Sequence, residues 1–266
     1  MRHLRLALAL AATSAFGGCF QMTSVVKVSG DASGTFDQRL VFSQGAIRQL
    51  KQFSALGGSD SKPFDPVSEE QARADAAKLG PGTVYVSSTA INDETGQGRA
   101  TVYAFTDINQ LRLSRQPGAP AGVTVRAQGM DSDGQAITFR MAKQPNGNAL
   151  LTIAVPPLTI QTGGAGGTTV PSAGETAMFK QIFSGARLTI AVELAGTLVR
   201  TNSAFVEGQR VTLLDLTLNE ILKDETFLPR IQAAKTEDDL KAILREAPGL
   251  KINLDREIAI EFTPAR

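Results

Sequence analysis

Leu188-Thr189-Ile190-Ala191-Val192-Glu193-Leu194 has an apolar residue at every second position from Leu188 onward. Successive side chains of a β-strand point to opposite faces, so this period predicts a half-buried strand. The same spacing recurs on both sides of it. Val211 and Leu213 begin a strand downstream, and Ile258, Ile260 and Phe262 predict a terminal one. A terminal strand of this kind pairs inside a sheet and ties the chain end into the core. Upstream, Ile137, Phe139 and Met141 precede the turn Pro145-Asn146-Gly147-Asn148, and Leu151, Ile153 and Val155 follow it. Val26 and Val28, the turn residues Gly30–Gly34, and Phe36, Leu40 and Phe42 read as a hairpin over residues 24–42. Thr83–Ser88 and Arg99–Phe105 read as two strands joined by a polar turn at Asn92–Gly98, and Val123–Ala127 as another strand.

Helical spacing is sparser. Ser43 is placed to cap a helix with Ile47, Leu50 and Phe53 on one face. Ser68 and Gln71 have capping-box spacing ahead of Ala72, Ala76 and Leu79, and Gly80-Pro81 ends that helix. Met178, Phe179, Ile182 and Phe183 form a third apolar face. Residues 217–246 are helical in pattern, interrupted at Pro229 and restarted at Thr236 with Asp239 three residues on. These elements predict an α+β fold of mostly antiparallel sheet, with several helices packed on one side. One domain over residues 24–266 is expected, with a mobile Gly-rich loop at Gln161–Gly174. Two lobes hinged near residues 114–122 are the alternative.

The N-terminus reads as an export signal. Met1-Arg2-His3-Leu4-Arg5 is cationic, Leu6–Ala12 is apolar, and Gly17-Gly18 precede Cys19. A bilayer span needs roughly 20 apolar residues; this run is shorter and breaks at Thr13-Ser14. Phe16-Gly17-Gly18-Cys19 resembles the bacterial lipobox, with Phe where Leu is usual. That resemblance implies a signal peptide at 1–18, a lipidated N-terminus at 19–23 and diacylglyceryl on the Cys19 thiol. At about 0.8 kcal/mol per buried methylene, two acyl chains hold a domain firmly at a membrane. Phe20 stands where an aspartate favours inner-membrane retention in enteric-type sorting. The outer membrane, facing the periplasm, is therefore expected in a cell with two membranes. A soluble exported protein with one free thiol is the alternative.

Composition narrows the chemistry. The only histidine is His3, Cys19 is the only cysteine, and tryptophan is absent. Beyond residue 18 there is no imidazole to activate a serine or cysteine, ligate zinc or hold haem. No enzyme activity, cofactor or metal is expected. Arg2 and Arg5 belong to the signal, which leaves 25 basic and 26 acidic residues with no basic stripe. Nucleic acid is not an expected partner.

Short motifs read as structure. Ser59-Asp60-Ser61-Lys62 and Ser24-Val25-Val26-Lys27 match the S-x-x-K of penicillin-recognising enzymes, but one sits before Pro63 in a loop and the other in a strand. Asp131-Ser132-Asp133-Gly134 lacks the remaining ligands of a calcium loop. Gly163-Gly164-Ala165-Gly166-Gly167 lacks the Gly-Lys-Ser/Thr of a phosphate cradle. Asp238-Asp239 suits a helix start, and Glu193 the solvent face of its strand. A carboxylate-dependent hydrolase would need two of Asp107, Asp215, Glu193 and Glu220 within about 10 Å of one another.

Val28-Ser29-Gly30-Asp31-Ala32-Ser33-Gly34-Thr35 resembles the hairpin that opens many uncharacterised bacterial envelope lipoproteins, and Tyr103–Asn109 is similar to segments of such proteins. Ala195–Asn202 with Glu207–Thr212 resembles the later part of LppM-type lipoprotein domains, with Ala195 in place of a proline and Leu213 in place of an aromatic. The resemblance implies an envelope lipoprotein domain that contacts lipids, and supplies no catalytic residues. A lipid-anchored, non-enzymatic protein binding a hydrophobic ligand or membrane surface is the expected function. The competing expectation is an envelope assembly module engaging a protein through a strand edge or the Gln161–Gly174 loop. The third is the carboxylate hydrolase.

Overall fold

Phe20–Val28 (β1) and Gly34–Phe42 (β2) form a hairpin, in register from Phe20 opposite Phe42 to Val28 opposite Gly34. The strand thus starts four residues earlier than its apolar alternation predicts. Helix Glu69–Asp75 (α1) and a 3-10 turn, Ala76–Leu79, lead into Thr83–Asp93 (β3) and Gly96–Phe105 (β4). Arg112–Ser114 (β5), Ala136–Lys143 (β6), Ala149–Ala154 (β7), Arg187–Leu194 (β8) and Gly196–Thr201 (β9) follow. Val206–Glu207 (β10) and Arg210–Thr217 (β11) precede three helices: Leu218–Lys223 (α2), Phe227–Ala233 (α3) and Glu237–Glu246 (α4). Leu250–Ile252 (β12) and Glu257–Pro264 (β13) complete the chain. The computed structural model describes residues 20–48, 65–94, 96–114, 136–156 and 185–265.

Two sheets result. The larger runs β10-β11-β8-β1-β2-β4-β3, with β12 sharing the outer edge of β11 with β10. The smaller runs β5-β6-β7-β13-β9. β8, expected as a half-buried strand, lies inside the larger sheet, and terminal β13 lies inside the smaller one, as expected. The sheets are mostly antiparallel, as expected, with one parallel pairing, β1 with β8. Parallel neighbours require a long crossover rather than a turn, and these two strands are far apart in the chain. Every other pairing among the described residues is antiparallel.

The sheets meet at Ala195, where the chain leaves β8 for β9. Its N–H donates to the Val28 carbonyl at 2.8 Å, and its carbonyl accepts from Ala265 N–H at 2.9 Å. Between the sheets lies one core. Val26, Phe36, Tyr103, Ile190 and Val192 come from the larger sheet, and Leu151, Ile153, Ile258, Ile260 and Phe262 from the smaller. Residues on both sides of 114–122 contribute to it.

The described helices are few, and they contribute to two separate clusters. Ile221, Phe227, Leu240 and Ile243 of α2–α4 form a separate cluster with Leu216 and Leu250, at the ends of β11 and β12. The inner sheet face already has a partner in the smaller sheet, so these helices bury their apolar sides on one another. α1 and its 3-10 turn join the main core, through Ala76 and a 3.0 Å bond from the Tyr103 hydroxyl to the Ala72 carbonyl, and so does Ile108 of a 3-10 turn at Ile108–Gln110. Gly80 ends that turn at φ 115°, where a Cβ would lie 2.1 Å from the Gln110 carbonyl oxygen.

Helix starts follow the expected caps with two changes. Ser68 accepts from Gln71 N–H, but the Gln71 side chain bonds Asp75 rather than closing the box. Thr236 and Asp239 make the full reciprocal pair. Pro229 does not interrupt a helix; it is the third residue of α3, where its missing N–H has no carbonyl to serve.

Candidate functional site

At one end of the larger sheet the first residue of β1 faces the last of β2. The Phe20 and Phe42 rings stand 6.3 Å apart, and Phe42 is buried with Ala46 and Ile47. Ser43 caps the helical segment at residues 44–48 as expected, its Oγ accepting from Ala46 N–H at 3.2 Å. Nine strand residues at about 3.3 Å each place the other end of β1 roughly 30 Å away.

A polar cleft of about 410 Å³ opens at that far end. The Ser29–Asp31 turn, Lys143, the Gly147–Ala149 turn and Pro264-Ala265 line it. The Ser33 hydroxyl and N–H both donate to Asp31, which holds its carboxyl below the usual range. Gly30 lets Pro264 come close, since a Cβ there would lie 2.4 Å from the proline ring.

Beside this end, Glu261 is the one charged side chain buried among the described residues, at 6% exposure. Asn148 and Asn146 donate to one oxygen at 2.7 and 3.1 Å, and Arg200 to the other at 2.6 Å. These donors lower its pKa, the Asn148 bond most. The sequence reading missed this site. Its alternation with Ile260 and Phe262 directs Glu261 away from the core, and the asparagines read only as turn residues. A turn carrying two amides beside a glutamate-bearing strand was the available signal.

Among the described candidate catalytic residues, Lys27 and each carboxylate have partners of their own. Ser24 and Lys27 are three apart on β1 and therefore face opposite sides of the sheet. Ser24 Oγ is buried without a hydrogen-bond partner, while Lys27 pairs with Asp37 at 2.7 Å. No proton can pass between them. Glu193 bonds Arg210, Asp215 bonds Arg187 and Thr189, Glu220 bonds Lys223, and Asp107 accepts from Asn109. Each of the four acids is engaged by a different neighbour. Asp239 serves as a capping residue, with Asp238 beside it in the first turn of α4. Cys19, His3, Ser59–Lys62, Asp131–Gly134 and Gly163–Gly167 lie outside the described residues. So do Leu50, Phe53, Val123–Ala127, the 161–174 loop and the Met178–Phe183 face.

Among the described residues, no three His, Cys, Asp or Glu side chains converge on a metal position. None of the described helices is long and apolar enough to cross a membrane. Side chains fill the space between the sheets: Phe36, Tyr103, Leu151, Ile153, Ile260 and Phe262 are all at or below 1% exposure.

No family model matches the chain, and no curated protein matches it. Among solved structures it is similar to the folded domain of Mycobacterium tuberculosis LppM, determined by NMR. That likeness covers 94% of this chain and 95% of the other, at TM-score 0.32 and 10% identity. The fold is therefore read from the strand pairings and core described above.

Proposed function

We propose that this chain is a non-enzymatic envelope lipoprotein whose domain is held directly against a membrane surface by diacylglyceryl on Cys19. The observation that carries this reading is where β1 begins. Phe20 follows Cys19 in sequence and already pairs with Phe42. From Gln21 onward β1 is hydrogen-bonded on both edges, by β2 and by β8. Consecutive Cα atoms are about 3.8 Å apart, so acyl chains on Cys19 would be coupled to an interior strand with no linker between. The Phe20–Phe42 end of the sheet would then stay at the lipid headgroups.

Of the two expected binding modes, surface contact is favoured over an enclosed apolar ligand, because the inter-sheet space is filled and the cleft is polar. The carboxylates, each paired with its own neighbour, support a non-catalytic role. The absence of tryptophan makes a clean test. Full-length Phe20→Trp protein, purified with its lipid and placed in phosphatidylethanolamine–phosphatidylglycerol vesicles, should be quenched by bromine-labelled acyl chains. Lys143→Trp, at the far end, should be quenched much less. Equal quenching at both positions, or none at Phe20→Trp, would remove the proposal.

A further inference from the structure

We infer that the polar cleft at the far end of β1 binds a small zwitterion of dipeptide size, taking its ammonium on Asp31 and its carboxylate on Lys143. This inference stands on the cleft alone and does not depend on lipid at Cys19. Three chain segments build the cleft: the Ser29–Asp31 turn after β1, the end of β6 with the turn that follows it, and Pro264-Ala265. Each is pinned by a backbone bond. Ser29 N–H donates to the Ser33 carbonyl at 2.9 Å, Gln144 N–H to the Asn148 carbonyl at 2.8 Å, and Ala265 N–H to the Ala195 carbonyl at 2.9 Å. Walls that are already ordered lose little conformational freedom when a ligand binds.

The two charges come from opposing segments. Alternation puts Lys143 on the same face of β6 as Phe139 and Met141, the face turned to the larger sheet. Phe139 and Met141 pack in and against the core, whereas Lys143 lies beyond it, exposed and lining the cleft. No ion pair or side-chain hydrogen bond engages its ammonium among the described residues. Asp31 stands on the turn across from it. Ser33 donates twice to one Asp31 oxygen, at 3.0 and 2.7 Å, and holds the carboxylate in place. These bonds chiefly, and the Lys143 charge more weakly, lower its carboxyl, so Asp31 is an anion at neutral pH. Among the described residues it forms no ion pair.

Opposite charges on one cleft, neither neutralised by an ion pair, select the ligand. A simple anion drawn to Lys143 would meet Asp31, and a simple cation drawn to Asp31 would meet Lys143. An uncharged ligand would displace water from both charges and replace it on neither. A zwitterion serves both at once, each through a charge-assisted hydrogen bond. The walls set its size. At about 410 Å³ the cleft is at the small end of ligand sites, which run from roughly 300 to 1,000 Å³ and fit a dipeptide at that end. No aromatic or large aliphatic side chain lines it among the described residues, so the ligand's own side chains are small or polar. Gly147 bares backbone on one wall, since nothing lies within 4 Å of where its Cβ would be.

The probe is alanyl-alanine, followed by equilibrium dialysis against the full-length chain in detergent at low ionic strength. We expect saturable binding, one molecule per chain, in roughly the millimolar range. N-acetyl-alanyl-alanine lacks the ammonium, and alanyl-alanine amide lacks the carboxylate. Each should bind about threefold to tenfold more weakly, the loss expected for one exposed charge pair. Asp31→Asn keeps an acceptor for Ser33. It should weaken alanyl-alanine to the level of the acetylated probe and leave the acetylated probe unchanged. Lys143→Gln should do the same with the amide probe. Circular dichroism melts that match the native chain confirm that both variants are folded, and the blocked probes test the native chain without any substitution. The inference is overturned by no saturable binding up to about 10 mM, or by blocked probes that bind as well as alanyl-alanine. Folded variants that bind alanyl-alanine like the native chain would overturn it too.

Discussion

Glu261 shows how one residue joins parts of the chain far apart in sequence. Its carboxylate accepts from the β6–β7 turn through Asn146 and Asn148, and from Arg200 on β9. Its pKa is lowered in the folded state, so the stability it adds is fully present above the unfolded value near 4.5 and is lost as pH falls through the folded value. Glu261→Gln offers one oxygen and an amide donor to three donors, leaving amide hydrogens unmatched. We expect a melting midpoint lowered by a few degrees at pH 7, with the difference narrowing below pH 4.5. Equal destabilisation at pH 7 and pH 3 would show that the charge is not what matters. Tyr103 is the buried counterpart on the larger sheet: burial, chiefly, pushes its hydroxyl up to about 12. Tyr103→Phe removes the bond to Ala72 and should cost about 1–2 kcal/mol, read as a lower urea midpoint at unchanged m. Faster amide exchange confined to α1 would locate the loss.

At the level of elements, α4 is the sharpest case of local sequence deciding structure. Thr236 and Asp239 satisfy each other's backbone N–H groups, and Thr236→Ala should cost about 1 kcal/mol. An unchanged denaturation midpoint would mean that tertiary packing alone holds α4. Elements with one buried face and one wet face were legible in the sequence: β8, β13, and β7 with its Asn-Gly turn. Strands outside that pattern were not. Asn92 and Gly96–Gly98 read as a turn, yet they belong to β3 and β4, because an exposed asparagine and buried glycines carry no apolar side chains to show an alternation. Phe20–Thr23 went unread for a related reason, as the expected hairpin began only at Ser24. The parallel β1–β8 pairing was illegible because long-range pairing leaves no local trace. Of the sites, the carboxylates could be ranked as candidates, but only the fold shows that Glu193, Asp215, Glu220 and Asp107 are each occupied separately. The Glu261 network depends on contacts more than 60 residues apart in sequence and could not be assembled from spacing.

At the scale of the described fold, side chains from both sheets fill one shared core. Two features distinguish the described surface, the Phe20 end and the polar cleft roughly 30 Å along β1. The central claim is that acyl chains on Cys19 place the first of these at a membrane. Replacing Cys19 by Ser removes the thiol that accepts the diacylglyceryl group, and the apolar run before it is too short to span a bilayer. The direct measurement is palmitate labelling and membrane fractionation of cells making the native chain and Cys19→Ser. We predict label and membrane sedimentation for the native chain, in the outer membrane where there are two. For Cys19→Ser we predict no label and accumulated uncleaved precursor. Label on Cys19→Ser, or an unlabelled native chain in the membrane fraction, would contradict the account.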